Sequence, residues 1–149
     1  MVGNELDSAV NEDPENTLTL PDEVVKFVEM TDVDALAVAI GTAHGVYLNT
    51  PTLRIDRLDE ITAVCDRPLV LHGGSGTPDD QIQAAIAHGI TKINIFSDVL
   101  GALNAGLKDK LSRIQNPSAW PAFVFEDARH NMQEAVRAKI RTFGSCGRV

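Results

Sequence analysis

Two histidines, each ending an apolar run and each followed at once by glycine, are the residues of this chain best suited to chemistry. They stand in Leu36-Ala-Val-Ala-Ile-Gly-Thr-Ala-His44-Gly45 and in Leu69-Val-Leu-His72-Gly73-Gly74-Ser75-Gly76. Neutral imidazole offers a nitrogen lone pair that suits zinc. A buried strand that delivers an imidazole to its C-terminal end and then runs into glycine sets a metal ligand beside a loop able to bind an anion. His44 and His72 lie about one strand-loop-helix-loop unit apart, so both would come from neighbouring strands on one rim of one sheet. Each taken singly also reads as a hydrogen-bonded strand-end histidine, but two equivalent placements favour a shared metal. A catalytic zinc usually has three protein ligands and an open position; the spacing supplies two. His88, before a helix-ending glycine, and His130, on the solvated side of the last helix, read as structural.

The loop from Gly73 to Gly76 is neither a P-loop nor a dinucleotide fingerprint. Read plainly, it is a tight strand-to-helix turn. Read functionally, its bare backbone N–H groups and the Ser75 hydroxyl cup an oxyanion or phosphate. Asn94-Ile95-Phe96-Ser97 ends the next strand and adds an amide and a hydroxyl at a helix N-terminus, as barrels do when they bind phosphate after their last strands.

The elements that must carry these residues alternate. Pro21-Asp-Glu opens a helix with Val24, Phe27 and Val28 on its apolar face. Leu36 to Ile40 is a small-apolar strand, and Arg57 to Val64 a short helix. Pro68 opens the strand Leu69-Val-Leu. Thr77 caps a helix that turns Ile82, Ala85 and Ile86 inward and stops at Gly89. Ile90 to Ile95 is the third strand. Ser97 caps a helix with the stripe Leu100, Leu103, Leu107, Leu111 and Ile114, and after an aromatic link a last helix spans Glu126 to Phe143. Such alternation predicts right-handed βαβ units and a parallel sheet. Three strands are too few to close a (β/α)8 barrel, so the expected architecture is an incomplete one.

Composition bounds the partners. The 149 residues are 44% hydrophobic and 23% charged, ordinary for a soluble domain, with a net charge of −8. That charge argues against nucleic acid and anionic membranes, which need Lys and Arg. Cys65 and Cys146 form neither a C-x-x-C pair nor a disulfide framework, and read as reduced thiols of a cytoplasmic protein. No signal peptide or transmembrane run is evident in the sequence.

Ala39-Ile-Gly-Thr-Ala-His-Gly45, Leu69-Val-Leu-His-Gly-Gly-Ser-Gly76 and Lys92-Ile-Asn-Ile95 together resemble the class II, zinc-dependent ketose-bisphosphate aldolases (fructose- and tagatose-bisphosphate aldolases). The resemblance runs from about Leu20 to Arg148 and is to the C-terminal half of the family's barrel. It implies an α/β fold, a partial (β/α)8 TIM barrel with parallel strands six to eight and their helices. Residues 1–19 would be a loop or frayed leader, 20–143 the βα units and 144–149 a loose tail. It implies further that His44 and His72 are two of three Zn2+ ligands. Gly45, Gly73, Gly74 and Ser75 would contact the dihydroxyacetone phosphate portion, and Asn94, Ile95, Phe96 and Ser97 its enediolate region and phosphate. Gly74 stands where the family often has alanine, an exchange expected to be harmless.

The family's Asp-His pair, which supplies the acid/base aspartate and the third ligand, has no counterpart here, since no Asp-His dipeptide occurs. Glu12 is the candidate for the family's mobile-loop glutamate, against a plain reading as a solvated carboxylate. The resemblance thus implies zinc-assisted aldol cleavage of a ketose 1,6-bisphosphate, impaired in this chain by itself, with a phosphorylated sugar as substrate. The alternatives are a non-catalytic relative that binds metal or phosphosugar or assembles, with its own copies or a complementing chain, and a phosphosugar barrel enzyme without zinc.

Overall fold

In the computed structural model, which describes residues 18–42 and 50–148, the chain divides into two units between Ile95 and Phe96. The first unit begins with helix α1 (Pro21–Thr31), where proline at N1 and the acids Asp22 and Glu23 suit the positive end of the dipole. Its last turn closes on Asp32 in the left-handed region, φ 48°, a conformation aspartate tolerates. The Asp32 carboxylate also accepts a hydrogen bond from Arg67 at 2.8 Å.

Strand β1 (Leu36–Ala37), helix α2 (Ile55–Thr62), strand β2 (Leu69–Leu71), helix α3 (Asp79–Ala87) and strand β3 (Ile90–Ile93) then alternate. The sheet is parallel throughout, in the order β1-β2-β3. Leu36 pairs with Leu69, and Leu71 with Ile93. All three residues of the central strand are buried, as they must be when both faces of a parallel sheet are covered. Val38, Ile40, Leu58, Ile61, Ile82, Ala85 and Ile90 complete the core.

Several boundaries differ from the sequence expectation. β1 stops at Ala37, short of Ile40. Val38 still donates to Val70, but both backbone groups of Ala39 are claimed by Thr19, its N–H by the hydroxyl at 2.8 Å and its carbonyl by the Thr19 N–H at 2.9 Å. α2 starts at Ile55, two residues early. There the Arg54 guanidinium donates to both Asp56 carboxylate oxygens, at 2.9 and 2.7 Å, and holds that carboxyl down at about 2. Thr77 does not cap α3: its hydroxyl donates to the Gly73 carbonyl at 3.4 Å, and Pro78 takes the cap position.

The second unit comprises α4 (Ser97–Arg113), the short helix α5 (Pro121–Val124) in the stretch expected to be a link, and α6 (Glu126–Thr142). The expected stripe of α4 is its buried face only in part, with Leu103, Leu107 and Ile114 half-buried. Leu100 and Leu111 are exposed, whereas Gly106 and Lys110 are buried. Glycine permits this: a Cβ at Gly106 would lie 2.6 Å from the Ala128 Cα and 2.8 Å from its N, so the backbones of α4 and α6 meet where no side chain intervenes. Lys110, one turn on, sets its ammonium 3.9 Å from the Phe123 ring centroid and 3.3 Å from Asp127. The tail expected to be loose is ordered at its start. Gly144, at φ 66°, and Ser145 donate to Arg141 and Ile140, closing α6 in a Schellman motif.

Two glycines of one helix give a matched test. Gly106→Ala is expected to destabilise the protein by about 1–3 kcal/mol, because the methyl meets backbone. Gly101, also in α4, has nothing within 4 Å of a built Cβ, so Gly101→Ala should stabilise by about 0.5–1 kcal/mol through helix propensity. Urea unfolding of the two variants measures both signs.

Candidate functional site

His72 directly follows β2, and Asn94 directly follows β3. The pairing of Leu71 with Ile93 brings these next residues side by side. Asn94 donates its backbone N–H to Leu71 at 2.9 Å and accepts the Gly74 N–H at 3.2 Å. Its backbone therefore bridges the residues on either side of His72-Gly73. Across this bridge the Asn94 Nδ2 lies 2.9 Å from Nε2 and 3.2 Å from Nδ1 of His72. The Thr42 hydroxyl, from the loop after β1, donates to the His72 carbonyl at 2.7 Å.

The loop after His72 is tight and mostly buried. Gly73 has φ 67° and Gly76 φ 75°, backbone that glycine adopts without strain. The Thr77 N–H returns to the Gly74 carbonyl at 3.4 Å, making a four-residue turn with positive φ at its third position, where a type II turn needs glycine. Ser75 and Thr77 are both buried. The Gly74 N–H is committed to Asn94, so it is not free for an anion.

The sequence candidates fall into three groups. His72, Gly73, Gly74, Ser75, Asn94 and Ile95 lie in the first unit, at the ends of β2 and β3. Phe96 and Ser97 open the second unit. Phe96, not Ser97, holds the N-cap position of α4; its side chain is 72% exposed, and no side chain caps the helix. Glu12, His44 and Gly45 lie outside the described residues. Of the remaining histidines, His88 Nδ1 lies 2.6 Å from the Asp59 carboxylate, and His130 is exposed on α6.

Lys92 and Thr42 were assigned no role from sequence. Lys92 Nζ donates to the Asn94 Oδ1. The signal for it was present: residues two apart on a strand point to the same side, and Lys92 precedes Asn94 by two. Thr42 carried no comparable signal, since a loop hydroxyl bonded to a carbonyl across strands follows from tertiary packing.

Among the described residues no group of three His, Cys, Asp or Glu side chains could hold a metal. His72 nonetheless suits one. Its imidazole, in the neutral form, carries the nitrogen lone pair that a metal ligand requires, and it stands at the end of β2 against a neutral amide and not against a charge. Chemically, this corner of the sheet offers one such nitrogen, an amide N–H at the same point and a buried hydroxyl in a glycine turn.

The sequence model of the family described as fructose-bisphosphate aldolase class-II matches residues 1–148. Among solved structures, the chain is similar to the YdjI aldolase of Escherichia coli K12, at 34% identity and a TM-score of 0.75, over 87% of this chain and 46% of that one. A Coccidioides immitis protein proposed to be a fructose-1,6-bisphosphate aldolase is 28% identical, with a TM-score of 0.74 over 88% and 45% of the two chains. The fold is shared also with fructose-bisphosphate aldolase of Campylobacter jejuni, at 20% identity and a TM-score of 0.69, over 92% and 49%. The chain spans about half the length of these proteins.

The surroundings of Gly74 leave no room for a side chain. A Cβ there would lie 2.6 Å from the Ile93 Cγ2, 3.0 Å from the Ile95 Cδ1 and 3.2 Å from the Asn94 carbonyl oxygen. The Ile93 methyl is fixed on a branched Cβ and cannot swing aside alone, so an alanine introduced at 74 would meet it. Gly74→Ala should cost about 1–3 kcal/mol in urea unfolding, and Ile93→Val in the same chain, which keeps the branched methyl, should not restore it.

Proposed function

The chain belongs to the class II fructose-bisphosphate aldolase family, and from that premise we propose that it forms part of the active site of a zinc-dependent aldehyde-lyase. The reaction would be reversible cleavage of a ketose 1,6-bisphosphate to dihydroxyacetone phosphate and an aldehyde. The observation that carries this reading is the meeting of His72 and Asn94 at the ends of adjacent parallel strands, beside a buried glycine turn. The sheet would be a segment of a (β/α)8 barrel, its strands the sixth to eighth.

His72 and His44 would hold the zinc. Thr42, two residues before His44 in sequence, is bonded to the His72 carbonyl, and two residues span at most about 7 Å, which supports a shared ion. Zinc, when bound, would supply a Lewis acid at the ketose carbonyl and hydroxyl. The chain's own residues would do the rest. The Asn94 Nδ2 is a donor suited to the oxygen on which charge develops, held by its backbone before any substrate arrives. Gly45, Gly73 and Ser75 would offer N–H and hydroxyl donors to the dihydroxyacetone phosphate portion. Gly74, its N–H committed, would serve by lacking a side chain, and Ile95 would wall the same pocket.

Proton transfer at the C4 hydroxyl requires an acid/base group, for which Glu12 is the candidate within this chain. With no Asp-His dipeptide in the sequence, the group that the family uses is absent from these 149 residues. A general acid/base contributes about 10²–10⁴-fold, and turnover by this chain should fall short of a complete enzyme by at least that factor.

A second reading has its own observation. The chain spans about half of its relatives, and large apolar side chains of the first unit stand exposed, Met30 at 85% and Phe27 at 48%. Assembly with a complementing chain, or with its own copies, would bring further residues to the site.

Zinc titration against a chromophoric chelator tests the metal reading. Binding of about one ion per chain is expected, and His72→Ala should weaken it by more than the ~10–100-fold typical of outer-shell changes. Unchanged affinity in that variant would remove His72 from the metal site. Coupled cleavage of fructose 1,6-bisphosphate with added zinc tests the rest, with slow, chelator-sensitive turnover expected. Brisk turnover by this chain would show that the missing dipeptide is dispensable.

A further inference from the structure

We propose that the second unit carries a binding groove for an uncharged sugar ring, with the Trp120 indole as its platform. The groove, of about 590 Å³, runs along the end of α4, the link after it and α5, and is lined by Lys110, Arg113, Gln115, Asn116, Trp120 and Phe123 among others. That volume is in the range of small-molecule sites. Trp120 is the only tryptophan of the chain and stands 77% exposed. Its backbone is fixed: Pro121 follows it, and its carbonyl accepts the Val124 N–H at 3.1 Å at the start of α5. A large aromatic plane is thus held in solvent on a fixed support, beside the exposed ring of Phe123.

The chemistry of the wall selects the ligand. Its two cations are already engaged: Lys110 lies 3.9 Å from the Phe123 ring centroid and 3.3 Å from Asp127, and Arg113 is bonded to Asp109 and Asp127. With Glu126 3.6 Å from Lys110, three carboxylates surround two cations, so an anionic ligand meets no positive charge left uncompensated. What remains unspent is neutral. The Gln115 amide, the Asn116 Nδ2 and the Trp120 indole N–H have no partner among the described residues, while the Asn116 Oδ1 accepts the Ser118 N–H at 2.9 Å. An aromatic plane edged by neutral donors and acceptors matches a pyranose with equatorial hydroxyls, whose C–H faces are apolar and whose rim is polar. A purely apolar ligand would leave the amides unpaired, and an organic cation would face an ammonium and a guanidinium. None of these residues belongs to the corner that holds His72 and Asn94, so the groove and the aldolase reading stand or fall separately.

Because Trp120 is the sole tryptophan, its fluorescence reports on this groove alone. Titration with methyl β-glucopyranoside should change the emission saturably, with half-saturation at about 1–10 mM, as ordinary ligand efficiency gives for so small a molecule. The 6-phosphate of the same glucoside should bind at least about threefold more weakly, repelled by an anionic chain. Gln115→Ala, which keeps the reporter, should weaken the glucoside by about 2–10-fold, the scale of one hydrogen bond. Magnetisation transfer from the protein to the sugar C–H protons is a second readout that needs no tryptophan; it should vanish in Trp120→Ala and persist in Trp120→Tyr. An emission that does not respond or does not saturate, a phosphate ester bound as tightly as the glucoside, or an equal response to cyclohexanol overturns the inference. So does an emission that shifts with protein concentration alone, which would assign the groove to a second copy of the chain.

Discussion

Two backbone hydrogen bonds of Asn94, one to the residue before His72 and one from the second residue after it, hold the corner of the sheet on which everything else depends. A strand end is ordinarily where pairing frays. Here β3 is stitched to the strand and to the loop beyond it, so His72 leaves β2 inside a closed bracket. Each such bond contributes only about 1 kcal/mol net, yet their placement matters more than their sum. They deny the backbone the freedom to move the imidazole and the amide apart, and a site whose donors are fixed before substrate arrives needs no reorganisation when charge develops.

Glycine makes that bracket possible. The Gly74 N–H reaches the Asn94 carbonyl because no Cβ keeps the loop away from Ile93 and Ile95. Gly41 does the same for the neighbouring loop: at φ 107° it passes so close to the Thr52 carbonyl that a Cβ would lie 2.6 Å from the oxygen. Gln81 then ties that segment to α3, donating to Pro51 and accepting from Leu53. Residues 41 and 51–53 after β1 and the turn after β2 are therefore packed against their surroundings, and the glycines that resemble a phosphate cradle in sequence are also what lets the turn after β2 close.

How far the sequence could be read follows from where the controlling forces lie. The alternation of apolar runs and amphipathic stretches gave the parallel α/β order, because burial on both faces leaves a short uninterrupted run such as Leu69 to Leu71. Asn94 and the glycine turn were legible from their positions at strand ends. Boundaries set by side-chain competition were not: nothing local to Ala39 announces that Thr19, twenty residues earlier, takes both of its backbone groups. The buried face of α4 was read only in part, for a related reason. Counting leucines finds the apolar stripe, but the α4–α6 contact is decided by closest approach, and glycine at position 106 rotates the buried line away from Leu100 and Leu111. Lys92 was overlooked because a lysine in a strand looks like solvated surface unless the period of two is followed to its neighbour.

In both units cations are engaged with carboxylates: Arg54 with Asp56, Arg57 with Glu60 and Arg67 with Asp32 in the first, and Lys110 with Asp127, Arg113 with Asp109 and Asp127, and Lys139 with Asp98 in the second. Those exposed enough to be screened add little to stability, but the pairing still removes them as anchors for an anion. Lys92 differs, since its bonded partner is the neutral amide of Asn94. A chain carrying −8 overall has no long-range field with which to draw in a sugar phosphate. Recognition at such a site would rest on short-range donors aimed at one place, N–H groups, a hydroxyl and an amide, together with whatever positive charge a bound metal brings.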